Sequence, residues 1–267
     1  MLIEMLKAVL YGIVEGISEW LPISSTGHMI LLEEFVKMDV TKEFWNVFLV
    51  VIQLGAILAV VLLYWNKIFP FNFTNKNRPL IRYDIVNLWG KILVACIPAA
   101  IVGILLDDWL DAHLYNGVVV AIMLVLVGIA FIFIENNNKN KRARITTMKN
   151  LTYKDAAIIG VFQLVAAVLP GTSRSGATIL GGLMIGVSRT IAAMFGASLL
   201  KVVKFGFAFN ATEIALLCVG MLIAFIVSIL VIRFLMSYIK KHDFKIFGYY
   251  RIVLGVIVLA CYFMKII

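Results

Sequence analysis

Charge is what this chain has least of. Aspartate, glutamate, lysine and arginine make up 15% of its 267 residues, 63% are hydrophobic, and the mean hydropathy is +1.01. A soluble domain carries about 25% charged residues, so the shortage excludes an ordinary water-soluble fold. Cysteine is almost absent. Cys96, Cys218 and Cys261 lie singly in apolar segments, with neither a CxxC spacing nor a histidine partner, which excludes a zinc ribbon or a disulfide framework and leaves small hydrophobes. Walker, dinucleotide-binding and zinc-ligand motifs are also missing. The net charge of +9 is not a nucleic-acid signal, because the basic residues fall between apolar runs, where orientation determinants of a membrane protein belong.

Those runs are what the sequence has in abundance. Phe48–Tyr64, Ile92–Leu106, Val118–Ile134, Ile214–Ile232 and Ile252–Ile267 approach the roughly 20 residues that cross hydrocarbon as a helix. Three basic loops read as cytoplasmic: Lys67 to Arg82, Lys139 to Lys154, and Arg233, Lys240, Lys241, Lys245 and Arg251. The loop with Asp107, Asp108 and Asp111 fits the outside, with Lys37–Asn46 and Asn210–Glu213. Consistency then requires one span near Ile191–Phe209. It makes Met5–Phe35 a hairpin entering from outside and Ala156–Gly186 one entering from the cytoplasm. Functional polar residues begin at Tyr11 to Glu19, too early for a removable leader. The expectation is a single all-α integral membrane domain of about six spans plus two re-entrant hairpins. Residues 1–135 and 156–267 form inverted repeats joined by a basic linker, 136–155.

The halves also align. Glu15 falls on Gln163, Pro22 on Pro170, Ser24 on Thr172 and Ser25 on Ser173 at an offset of 148, and a one-residue shift brings Gly27 onto Gly176.

The hairpins hold the chemistry. Glu15 and Glu19 are i,i+4 and share a helix face, and intramembrane acids are functional candidates, although Trp20 and Leu21 would equally suit a helix lying on the surface. Pro22 stops the helix. Ser24, Ser25, Thr26 and Gly27 then offer hydroxyls and free amides where a new helix starts, a ready anion site. His28 is the only histidine in an apolar segment, while His113 and His242 read as solvated loop residues. The second hairpin repeats the breaker at Pro170-Gly171 and the cluster Thr172, Ser173, Ser175, Gly176 and Thr178, and adds Arg174. Its guanidinium matches phosphate oxygens or pairs with Glu15 or Glu19. Two carboxylates beside a phosphoanhydride also suit Mg²⁺. Together these groups are an inventory for phosphoryl transfer.

The stretches Glu15-Gly-Ile-Ser-Glu-Trp-Leu-Pro-Ile-Ser-Ser-Thr-Gly-His28 and Pro170-Gly-Thr-Ser-Arg-Ser-Gly-Ala-Thr178 strongly resemble the signatures of bacterial undecaprenyl-pyrophosphate phosphatases, the bacitracin-resistance family. Gln53-Leu-Gly-Ala-Ile-Leu-Ala59 and Lys240 to Ile252 are similar too. The resemblance implies removal of one phosphate from the undecaprenyl carrier lipid at a site open to the outer side of the plasma membrane, with Mg²⁺ or Ca²⁺ and in support of cell-wall synthesis. It makes Glu15 and Glu19 the essential, metal-holding acids, His28 the essential histidine and Arg174 the phosphate-binding arginine, with Ser25 or His28 as nucleophile and Ser25 preferred. Oligomeric state, with a homodimer among the options, stays open.

Two other readings compete. A polyprenyl-phosphate flippase could use the same anion site, but two acids would repel its cargo. A phosphatidate-type phosphatase lacks its paired arginine and second His-Asp motif here. The chain also departs from the family after Ala193, running directly into Met194-Phe-Gly-Ala-Ser-Leu-Leu200. Eleven residues separate Arg189 from Lys201, about 17 Å of helix against a core of about 30 Å. Roughly ten residues are wanting by that measure. Either the span is shortened and the site distorted, or the sequence lacks a segment.

Overall fold

The computed structural model describes the backbone of all residues except 74–78, 115, 198–208 and 265–267. Among the described residues the fold is all-helical, with two isolated bridges and no strand. In chain order the helices are α1 (Leu2–Ser18), α2 (Ser25–Phe35), α3 (Lys42–Ile68), α4 (Tyr83–Leu114), α5 (Gly117–Asn138), α6 (Tyr153–Val168), α7 (Arg174–Met184), α8 (Arg189–Ala197), α9 (Ala211–Tyr238) and α10 (Lys245–Phe263). Five of them, α3, α4, α5, α9 and α10, are long and apolar enough to cross a membrane. The chain is a multi-pass membrane protein. The expected span near Ile191–Phe209 starts as α8, and most of the remainder lies outside the described residues.

Several loop assignments change. Helix α4 runs on past its apolar stretch, so Asp107, Asp108, Asp111 and His113 stand on a helix. Arg233 lies inside α9 and Lys67 in the last turn of α3. Arg251, counted with the third basic loop, is inside α10 and wholly buried. Backbone hydrogen bonding carries a helix beyond the point where hydropathy falls, and a buried arginine looks no different in sequence from a solvated one.

Packing pairs α5 with α10, sets α1 and α3 against α9, and sets α4 against α6, which leads on to α7 and then α8. With little hydrophobic drive between helices in lipid, close backbone approach matters. At the α5–α10 crossing a methyl on either Gly128 or Gly248 would meet the other's carbonyl at 2.7 Å. Glu135, buried at the end of α5, accepts from Arg189 of α8 and from the Phe244 N–H (3.0 Å) ahead of α10, tying three elements together.

The basic linker is folded against the body. Ile145 and Leu151 are 1% exposed, and the amides of Arg144 and Ile145 donate to the Gly186 carbonyl at 2.7 and 3.1 Å. Arg144 also pairs with Asp155 at 2.5 Å, beside the capping box that Thr152 and Asp155 make on α6. Burial alone would raise the Asp155 pKa, but hydrogen bonds from Thr152 and Arg144 outweigh it and hold the carboxyl below its ordinary value.

Candidate active site

Each hairpin is a longer helix, a break and a short helix. Helices α2 and α7 have 11 residues each, about 17 Å, half of a hydrocarbon core. The breaks share one backbone device. Ser24 (φ 74°, ψ 94°) caps α2, its Oγ accepting from the Gly27 N–H at 3.3 Å. Ser173 (φ 70°, ψ 122°) caps α7, its Oγ accepting from the Gly176 N–H at 3.2 Å. Among the described residues these are the only non-glycine residues at positive φ, a strain of about 1–3 kcal/mol each that concentrates at functional sites. The caps correct the alignment, because Ser24 matches Ser173 and Ser25 matches Arg174. The one-residue shift falls at Gly171, which sits at φ +88° with the Val120 carbonyl 2.6 Å from any added Cβ. Only glycine fits there.

Ser25 and Arg174, the first residues of the two short helices, converge on one carboxylate. Ser25 Oγ donates to Glu19 Oε2 at 2.7 Å, and Arg174 donates to Glu19 Oε1 at 2.9 Å. Of the ion-pair partners open in the sequence, the structure selects Glu19 for Arg174. A surface helix is ruled out, since Glu15 is 3% exposed and Trp20 packs among Ala56, Ala59, Val60 and Ile232.

His28 lies apart from that pair. Its Nδ1 is 2.7 Å from the Ser24 carbonyl and its Nε2 is 2.7 Å from the Tyr250 hydroxyl. Neither nitrogen is placed to take a proton from Ser25. One residue along α10, Arg251 donates to the carbonyls of Pro22 (3.2 Å), Gly171 (2.7 Å) and Thr172 (3.1 Å). A single side chain thus holds both breaks. Sequence reasoning missed both residues as site components, because carbonyl partners leave no motif.

The remaining hydroxyls divide. Thr172 is buried with an unpartnered Oγ1, and Arg174 keeps a buried Nη1 without a partner, donors of the kind an anion would satisfy. Ser175 Oγ lies 3.0 Å from Ser173 Oγ. Thr178 spends its proton on the carbonyls of Arg174 and Ser175 at 2.8 and 3.1 Å, which leaves none for a phosphate. The Gly27 and Gly176 amides are occupied by their caps. Thr26 is exposed and is not drawn into the cluster. Glu15 lies one turn before Glu19 on α1, while its counterpart Gln163 is buried with its Oε1 unpartnered. No group of three or more His, Cys, Asp or Glu able to hold a metal occurs among the described residues. The pair Glu15 and Glu19 therefore suits a hard cation only with phosphate oxygens completing the shell.

The model of the family described as Bacitracin resistance protein BacA matches residues 8–257. The chain belongs to this family. Relatives of BacA type include an Undecaprenyl-diphosphatase of Enterococcus faecalis, 58% identical over 96% of each chain. An Undecaprenyl-diphosphatase 1 of Clostridium acetobutylicum is 60% identical over 97% of each. One from Acetivibrio thermocellus is 57% identical over 275 residues, covering 99% of this chain and all of its own. The stretch where the shortening was read, after Ala193, lies for the most part outside the described residues.

Proposed function

We propose that this protein hydrolyses undecaprenyl pyrophosphate to undecaprenyl phosphate and inorganic phosphate, recycling the cell-wall carrier lipid and conferring bacitracin resistance. Family membership and the names of relatives at 56–60% identity support the substrate, and one contact carries the chemistry: Glu19 holds the Ser25 hydroxyl and the Arg174 guanidinium at once. On substrate binding Arg174 transfers its hydrogen bonds to the phosphates, with its free Nη1 and the Thr172 hydroxyl as further donors. Glu19, released from its ion pair, takes the Ser25 proton as Oγ attacks the terminal phosphorus. The P–O bond to the lipid monophosphate breaks and a phosphoserine forms. Water, giving its proton to Glu15, then attacks the phosphoserine; the P–Oγ bond breaks, and Glu19 returns its proton to Ser25 Oγ as phosphate leaves. Glu15 and Glu19 would hold Mg²⁺ or Ca²⁺, which neutralises pyrophosphate charge when bound.

The arrangement belongs in the bacterial plasma membrane, as two inverted repeats with the α1–α2 hairpin entering from outside and the site facing that side. A homodimer is the assembly we would look for by cross-linking. Phosphate release from a polyprenyl pyrophosphate in detergent, with and without EDTA, tests the reading. Release that persists in a Glu19→Gln, Arg174→Ala double variant would sink it. Lipid movement across vesicles with no release from the unaltered protein would favour the flippase instead. A carrier has no use for a hydroxyl held on a carboxylate, and that contact weighs against it.

A further inference from the structure

The Ser24 carbonyl can only accept, so a ring nitrogen 2.7 Å away must carry the proton. That fixes His28 as the Nδ1–H tautomer. The neutral ring then has its one in-plane lone pair on Nε2, and the Tyr250 hydroxyl stands 2.7 Å from it. The two rings are parallel within 1°, their centroids 5.7 Å apart. His28 is thereby used at both ends, and what it grips is the carbonyl of a residue held at φ 74°. The next residue is Ser25.

From this chain of contacts we propose that Tyr250 is a positioning residue for the reaction. By donating to His28 Nε2 it holds the Nδ1–H against the Ser24 carbonyl, and so keeps the strained cap in the conformation that presents the Ser25 hydroxyl to Glu19. The proposal rests on the phosphatase reading for its kinetic consequence, but not for the hydrogen bonds themselves. It also gives His28 a role that needs no proton transfer to substrate. The tyrosine ring is about half exposed, so removing its hydroxyl costs little packing, and Tyr250→Phe is expected to fold as the unaltered protein does.

The test has two arms. In protein labelled with ¹⁵N-histidine, with His113→Gln and His242→Gln used for assignment, the His28 ring should give the Nδ1–H pattern with a hydrogen-bonded Nε2. In Tyr250→Phe the Nε2 resonance should move to that of an unbonded nitrogen. In the phosphate-release assay Tyr250→Phe should lower kcat about tenfold, in the lower range for loss of one orienting contact, with KM within about twofold. In a His28→Ala background the same substitution should cost nothing more. An Nε2–H ring in the unaltered protein, an unchanged kcat, or a full additional loss on top of His28→Ala would each overturn the proposal. If no preparation releases phosphate, the phosphatase reading has failed. The imidazole spectrum then still decides the Tyr250–His28 pair alone.

Discussion

The two hairpins are one backbone device put to unequal use. Both stop a helix at proline, turn through a serine at positive φ and start an 11-residue helix on a serine cap. The first then carries Glu15, Glu19, Ser25 and His28, whereas the second offers Gln163 for Glu15, Arg174 for Ser25 and an extra residue, Gly171. The scaffold sets positions and, in the proposed reaction, the side chains divide the work, with the nucleophile and acids on one side and the cationic grip on the other. An anion site made from two like hairpins would only bind. A reaction needs the halves to differ where they meet, and they meet on Glu19.

The sharpest way to break the comparison is at that point. Glu19→Gln weakens both contacts together and should lower phosphate release by about 10³-fold or more, measured as kcat/KM against the unaltered protein. Next comes the feature found only in the second break. Gly171→Ala puts a methyl 2.6 Å from the Val120 carbonyl at φ +88°, and should cost about 3 kcal/mol or more in detergent unfolding, with clash and backbone strain adding. Making the halves more alike should not add function: Gln163→Glu buries a second carboxylate without a cation, and we expect about 2–3 kcal/mol of destabilisation and no gain in kcat. The shared feature should answer equally in both halves. Ser24→Gly and Ser173→Gly each relieve positive φ while giving up only a few tenths as caps, so each should gain about 1 kcal/mol by thermal unfolding.

The smallest effect lies at the mouth of the second hairpin, which alone is tied to the linker. The Asp155 pKa is lower folded than unfolded, so its contribution is present above the ordinary value of 3.8 and lost as pH falls below it. Asp155→Asn should lower stability modestly at neutral pH, leave it little changed at acid pH where the contribution is already lost, and so flatten the acid limb of the stability profile.

Much of this was legible in the sequence. Pro22, Pro170 and the hydroxyl runs marked the breaks because proline and serine act through local backbone chemistry, and Glu19 with Arg174 stood out because charge in an apolar segment is costly. The one-residue shift was seen but placed after Ser25 rather than at Gly171, since Thr172 and Ser173 are equally good caps until backbone angles separate them. Arg251 and Tyr250 were passed over for a different reason. Their partners are backbone carbonyls and a distant ring, and nothing in the neighbouring residues encodes those. The folded linker escaped for the same cause, its anchors being the Gly186 carbonyl and buried Ile145.

Arg251 carries one more consequence, in the order of synthesis. The carbonyls it holds belong to residues 22, 171 and 172, made long before it. Until the last helix has left the ribosome and inserted, both turns are without the donor that sets them. A chain ended before α10 lacks the donor to all three carbonyls. Under the proposed function, products of interrupted translation are therefore expected to release no phosphate from the carrier lipid.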